Sequence, residues 1–314
     1  MRNTTILATF ALAVLVSALF GSQDVKKKYR IGFSQCNNAE PWRQAMNAAA
    51  KAEAAKHPEL ELVFADAAQD NAKQVADVEN FLTQKVDLLI ISPNEAKPLT
   101  KVVTKAYKSG VPVVVLDRAI EGESYSCFIG ADNLEIGRAA GEWIAKQLNG
   151  KGKIVELKGL MGSTPAQQRS KGFREAILKF KDIEIVHEAE AKWLRDEARA
   201  QFEHALAAQP KIDLVYAHND PMAAGAFIAA KAAGREKDIL FVGIDALPGK
   251  DGGAQAVLDG KLAATFLYPN CGKEAVASAV KILNGEKIEK KMQLSTATIT
   301  KENAAEFANP QGKK

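Results

Sequence analysis

Four short polar stretches follow apolar runs in this 314-residue chain: Gly32-Phe33-Ser34-Gln35, Leu116-Asp117-Arg118, His218-Asn219-Asp220 and Gly243-Ile244-Asp245. Each places hydrogen-bonding side chains where a buried strand would emerge at its carboxyl end, and in an open α/β sheet ligands bind at that edge. Asp117 and Arg118 set an acceptor beside a donor, Asn219 offers both functions, and Asp245 adds a second carboxylate. No nucleophile–base pair stands among them. These residue types suit holding a small polar molecule by many hydrogen bonds, not transforming it.

Short apolar strands alternating with helices must position these groups. Strands are predicted at 30–34, 60–65, 88–92 and 112–116, with helices at 41–56, 71–84 and 98–109 between them. The pattern recurs as strands at 154–157, 184–187, 214–217 and 239–244, with helices at 165–180, 194–209 and 222–233. Such alternation implies parallel sheets with helices on both faces. The halves align at a steady offset: Ile31 with Ile154 (123 residues apart), Asp87 with Asp213 (126) and Asp117 with Asp245 (128). That period points to two similar α/β domains built by duplication, with Asp117 and Asp245 approaching a common cleft from opposite walls. A single closed barrel gives no reason for a half-chain period.

Residues 1–22 are set aside as a secretory signal peptide, with Arg2 ahead of a nearly continuous apolar run from Ile6 to Phe20. That run is shorter than the roughly 20 residues needed to span a bilayer. About 290 residues remain, a length at which chains commonly split into two cores. The net charge of +4 becomes +3 without Arg2, and its cations are interspersed with anions, which argues against a nucleic-acid partner. Cys36, Cys127 and Cys271 form no CxxC; one pair could bridge, or all three could be free. The four His, at 57, 187, 204 and 218, lack metal-ligand spacing, so neither metal nor cofactor is expected.

The ordered motifs GFSQ, Pro41-Trp42-Arg43, VVVLDR, ADN (131–133), VELKG, GSTPAQQRSKGF, VYAHNDPMAAGA, FVGIDALP and LAATFLYPN resemble the periplasmic sugar-binding proteins of ABC importers. The resemblance covers essentially the whole mature chain and falls in the ribose-binding branch, nearest the galactofuranose-binding proteins. It implies two doubly wound parallel-sheet domains joined by a three-segment hinge, the type I periplasmic binding protein fold. The implied lobes are 26–131 plus 268–295 and 132–267 plus 296–314.

The sugar contacts implied by the resemblance are Asp117, Arg118, Arg169, Asn219 and Asp245 for hydroxyls and Trp42 and Trp193 for the C–H faces of the ring. Arg43 belongs with Trp42, and Ser34 and Gln35 are weaker candidates. Where ribose-binding members carry a hinge glutamine, this chain reads Phe266-Leu267-Tyr268-Pro269-Asn270, so Tyr268 or Asn270 takes its place. The implied function is periplasmic capture of a monosaccharide by hinge closure, by a monomer that delivers it to a membrane ABC permease. The alternative is a ligand domain presented to a chemoreceptor or sensor kinase. A glycosidase using Asp117 and Asp245 is disfavoured, because Arg118 beside Asp117 makes that acid a poor proton donor.

Overall fold

The computed structural model describes residues 28–309. The expected signal peptide lies outside the described residues.

The first half builds β1 (Tyr29–Gln35), α1 (Pro41–Ala54), β2 (Leu60–Asp66), α2 (Asn71–Thr83), β3 (Leu88–Ile91), α3 (Ala96–Lys108), β4 (Val113–Leu116) and β5 (Cys127–Ala131). The second follows with α4 (Asn133–Gln147), β6 (Lys151–Lys158), α5 (Thr164–Ile177), β7 (Asp182–Glu190), α6 (Arg195–Ala208), β8 (Leu214–Ala217), α7 (Asp220–Ala232), β9 (Leu240–Val242) and α8 (Gly253–Leu258). The chain closes with β10 (Thr265–Phe266), α9 (Gly272–Leu283), β11 (Lys291–Leu294), β12 (Thr298–Ile299) and α10 (Ala304–Ala308). The helices begin where local chemistry dictates. Pro41 opens α1 with its φ already helical. The side chains of Asp70, Asp132 and Asn219 accept from the first free N–H groups of α2, α4 and α7.

Two parallel sheets result, making a two-domain α/β fold. One runs β11-β5-β4-β3-β1-β2 and the other β9-β8-β6-β7. The second repeats the order of the first through β4-β3-β1-β2, so each half reverses its winding beside its first strand. Polar groups at the carboxyl ends therefore meet at equivalent switch points. The duplication reaches individual atoms. Arg30 N donates to Asp87 Oδ2 at 2.8 Å, and Lys153 N to Asp213 Oδ2 at 2.7 Å. Each aspartate also returns its own N–H to the carbonyl of the same partner, at 2.8 Å in both halves.

Strand alternation divides each core between two helical layers. Leu88 and Ile90 of β3 join the α1/α9 side with Met46 and Val276, whereas Leu89 and Ile91 join the α2/α3 side with Phe81 and Val103. In β8, Leu214 and Tyr216 pack with Phe173 of α5, and Val215 and Ala217 with Phe202 of α6. The chain passes between the sheets three times: after β5, between β9 and β11, and after β11. The last two passages pair as the antiparallel ribbon β10–β12.

Candidate functional site

Helix packing fixes the second arginine of the site before any ligand contact is made. Gly137 of α4 faces the backbone carbonyl of Arg169 on α5 so closely that a Cβ there would overlap it. Buried in this crossing, Arg169 donates from Nε to Asn133 Oδ1 at 2.8 Å and from Nη1 to the His218 carbonyl at 2.5 Å. His218 is itself braced. Its Nδ1 accepts from Gly159 N at 3.2 Å, which places the ring proton on Nε2, 3.1 Å from Glu156 Oε1. Burial holds His218 below its ordinary pKa. Glu156, pushed up by burial, is brought below its own by the bond from His218 and by Ser170 and Arg174.

Opposite stands the wall from β4 and α1. Asp117 follows Leu116 at φ +58, a left-handed conformation that turns its carboxylate off the strand end. Its close partner is not the adjacent Arg118. Arg43, in the first turn of α1, donates from Nη2 to Asp117 Oδ2 at 2.6 Å and from Nη1 to Ser92 Oγ at 2.9 Å. Arg118 Nε is 3.8 Å from the same carboxylate, and its Nη1 donates to the Asn94 carbonyl at 2.9 Å. Three guanidiniums lie over aromatic rings: Arg43 over Trp42 at 4.8 Å, Arg118 over Trp193 at 5.5 Å, and Arg169 over Tyr268 at 4.8 Å and Trp193 at 5.4 Å.

These groups line a cavity between the sheets of about 280 Å³, the open space at its mouth included. Trp42, Arg43, Asp117, Arg118, Arg169, Trp193, Asn219, Asp245 and Tyr268 all line it. Ser34 and Gln35 do not. The β1 end turns them into the first domain, where Ser34 Oγ accepts from Gln74 Nε2 at 3.2 Å and Gln35 Nε2 donates to Asn47 Oδ1 at 2.8 Å. Tyr268, not Asn270, faces the cavity, and its carbonyl accepts from Trp42 Nε1 at 2.9 Å. Asn270 instead accepts from Gly272 N at the start of α9. Asn219 serves twice: Oδ1 caps α7 through Met222 N at 3.0 Å, while Nδ2 donates to the Trp193 carbonyl at 3.1 Å.

Sequence reasoning misses Glu40, which also lines the cavity and takes a 2.8 Å bond from Asn37 Nδ2. Its only signal is its place just before the Pro-led helix. Three carboxyl groups, of Glu40, Asp117 and Asp245, thus face the guanidiniums of Arg43, Arg118 and Arg169. Burial drives the Asp245 carboxyl well above the usual range, against the pull of Arg169 and aided by Asp220, Glu40 and Asp117. Behind it, buried Asp220 is pushed up to about 7, although Thr265 Oγ1 and Ala246 N donate to it. Arg43 Nε, Arg118 Nε and Nη2, and Trp193 Nε1 are buried donors with no hydrogen-bond partner among the described residues. Such donors at a cavity wall suit a ligand rich in acceptors. A larger groove of about 1060 Å³ lies between α7 and α8, but Phe227, Ala224, Leu247 and Leu262 make it mainly apolar.

Among the described residues no cluster of His, Cys, Asp and Glu could hold a metal, and Cys36, Cys127 and Cys271 are free and buried.

A sequence profile described as the periplasmic binding protein domain matches residues 31–287. The chain belongs to the periplasmic binding protein family. This periplasmic binding protein is 33% identical over 304 residues to the ribose import binding protein of Escherichia coli K12, covering 96% of this chain and all of that one. It is 34% identical over 294 residues to the galactofuranose-binding protein of the same organism, covering 90% and 91% of the two chains. Among solved structures, the fructose-binding periplasmic domain of a hybrid two-component system superposes with a TM-score of 0.87 at 47% identity, covering 90% of this chain and 94% of that one. A galactofuranose-binding protein superposes at 0.85 with 32% identity, covering 90% and 98%. Its relatives thus place this periplasmic binding protein among sugar binders of the ribose-binding type.

Proposed function

We propose that this protein, exported by the signal peptide at 1–22, captures one monosaccharide between two lobes by hinge closure and hands it to a membrane ABC permease. The lobes are 26–131 plus 268–295 and 132–267 plus 296–314. The contacts are Trp42, Arg43, Asp117, Arg118, Arg169, Trp193, Asn219, Asp245 and Tyr268, joined by Glu40. One observation carries the reading: a cleft of about 280 Å³, open solvent at its mouth included, combines indole faces with buried guanidinium and indole N–H groups that have no hydrogen-bond partner among the described residues. A sugar ring supplies C–H faces for the indoles and hydroxyls for the edges. No reaction is assigned, since Asp117 is committed to Arg43 and no nucleophile–base pair lines the wall.

A second reading is favoured by the 47%-identical neighbour, whose name ties fructose binding to two-component sensing. In that role the closed form would be presented to a membrane kinase. The same neighbour puts D-fructose first among candidate sugars, beside galactofuranose and ribose from the other relatives.

Thermal unfolding of ligand-free protein against D-fructose, galactose, ribose, arabinose and inositol tests the capture step. A ligand at 100 times its Kd adds about 2.7 kcal/mol of stability. A selective upward shift supports the reading, and no shift with any monosaccharide refutes it. Deletion of the gene then separates the two roles: loss of labelled-sugar uptake supports delivery, and loss of a transcriptional response with uptake intact supports sensing.

A further inference from the structure

We infer that the turn at Gly162 and the start of α3 form a clasp that holds the two lobes closed without touching the ligand. The inference rests on the hinge-closure reading above and identifies residues that set affinity from outside the cavity.

Three hydrogen bonds join the lobes along this lip. Ala96 N donates to the Gly162 carbonyl at 3.0 Å, Ala119 N donates to Thr164 Oγ1 at 2.9 Å, and Gln69 Nε2 donates to the Lys192 carbonyl at 3.3 Å. None of these six residues lines the cavity. The first bond has a clear physical origin. Ala96 is the first residue of α3, so its N–H has no partner within the helix, and a carbonyl docked there also meets the positive end of the helix dipole. The second bond engages the residue after Arg118, which ties the clasp to a cavity arginine through one peptide link.

Gly162 is where the clasp is closest. A Cβ on Gly162 would fall inside the side chain of Glu95, overlapping its carboxylate and lying within 2.7 Å of Cγ. To make room Glu95 has to swing aside and give up the 2.5 Å hydrogen bond that its Oε1 accepts from Asn71 Nδ2. Gly162 is absent from the positive-φ residues, so alanine suits its backbone. The bar to a side chain there comes from across the cleft and acts only when the lobes meet. Gly162 and Glu95 are thus positioning residues for closure.

Sugar-free protein carrying Gln69→Cys and Lys192→Cys at this exposed lip is treated with a short bifunctional methanethiosulfonate, whose cross-linking rate counts visits to the closed form. We expect Gly162→Ala to slow cross-linking at least about tenfold with an unchanged melting temperature, and Glu95→Ala added to it to restore the rate. An unaltered rate in Gly162→Ala overturns the clasp and leaves hinge closure standing. Slowing that Glu95→Ala does not relieve places the effect within one lobe and overturns it too. No cross-link in the parent pair, with or without D-fructose, means that the lobes do not close as proposed, and both readings fall.

Discussion

Arg43 Nη2 lies 2.6 Å from Asp117 Oδ2, with both side chains almost wholly buried, so the first wall of the site is a desolvated ion pair. The helix that follows β1 and the strand end of β4 are thereby locked together by the same groups that face the cavity.

Removing one partner of that pair therefore costs twice. On the proposed reading, Asp117→Ala is expected to lose a charge-assisted hydrogen bond to the sugar, about 1.5–3 kcal/mol or 10- to 100-fold in affinity. It also strands Arg43, at about 3–5 kcal/mol of folding stability. Calorimetric titration and urea unfolding read the two losses separately. Affinity equal to the parent's would remove Asp117 from the site.

Arg169→Ala is expected to weaken binding to a similar extent, about 10- to 100-fold. Asn133 and the His218 carbonyl regain water when the cavity opens, so the affinity loss should exceed what the melting temperature shows. Equal binding in this variant, measured by the same titration, would contradict the assignment.

Trp193→Phe removes the indole Nε1–H together with part of a buried ring that packs on Gly159, so some folding stability is lost with it. The Nε1–H itself has no partner among the described residues, so no protein acceptor is left unpaired. A sugar oxygen that accepts from it is lost instead, at about 0.5–1.5 kcal/mol of binding. Unchanged affinity would mean that the indole offers only its face.

Asp220 should make stability fall as pH rises from about 4 to about 7, against the opposite slope of His218, whose pKa burial lowers. Asp220, pushed up to about 7 by burial against an ordinary 3.8, keeps in the folded chain a proton that the unfolded chain has already released. Its contribution is complete below the unfolded pKa and lost through the folded one, with a slope of about 1.4 kcal/mol per pH unit per proton. Asp245 acts in the same direction. Asp220→Asn can still accept from Ala246 N and bond Thr265, and should flatten the profile of urea stability against pH. A parallel profile in parent and variant would refute this account.

Much of the fold is legible because its strands are continuous apolar runs closed by polar residues, as at Val113–Leu116 before Asp117. The half-chain period is legible because Asp87 and Asp213 repeat at the same place in each half. Helix α4 is harder to read: its Ala- and Gly-rich face packs on α5, and close backbone approach leaves a weak hydrophobic pattern. Local proximity misleads at Asp117, where Arg118 is next in sequence but Arg43, 74 residues away, makes the tight pair. It misleads again at Ser34 and Gln35, because alternation along β1 and the needs of α1 and α2 decide where those side chains point. Glu40 is hidden by its own context, since a polar residue before a Pro-led helix reads as a simple entry to that helix.

Asp117, Trp193 and Asp245 all stand at positive φ, at +58, +72 and +124. Backbone there tolerates Gly, Asn and Asp far better than branched or bulky residues. The palette for retuning this pocket is therefore uneven. At Arg43, Arg118 and Arg169 the backbone is ordinary, so what restrains a biosensor designer, or natural drift toward a new sugar, is the set of buried partners each guanidinium would leave behind. At 117 and 245 the accessible repertoire is a few small polar side chains, and at 193 the indole occupies a conformation that few large residues would accept.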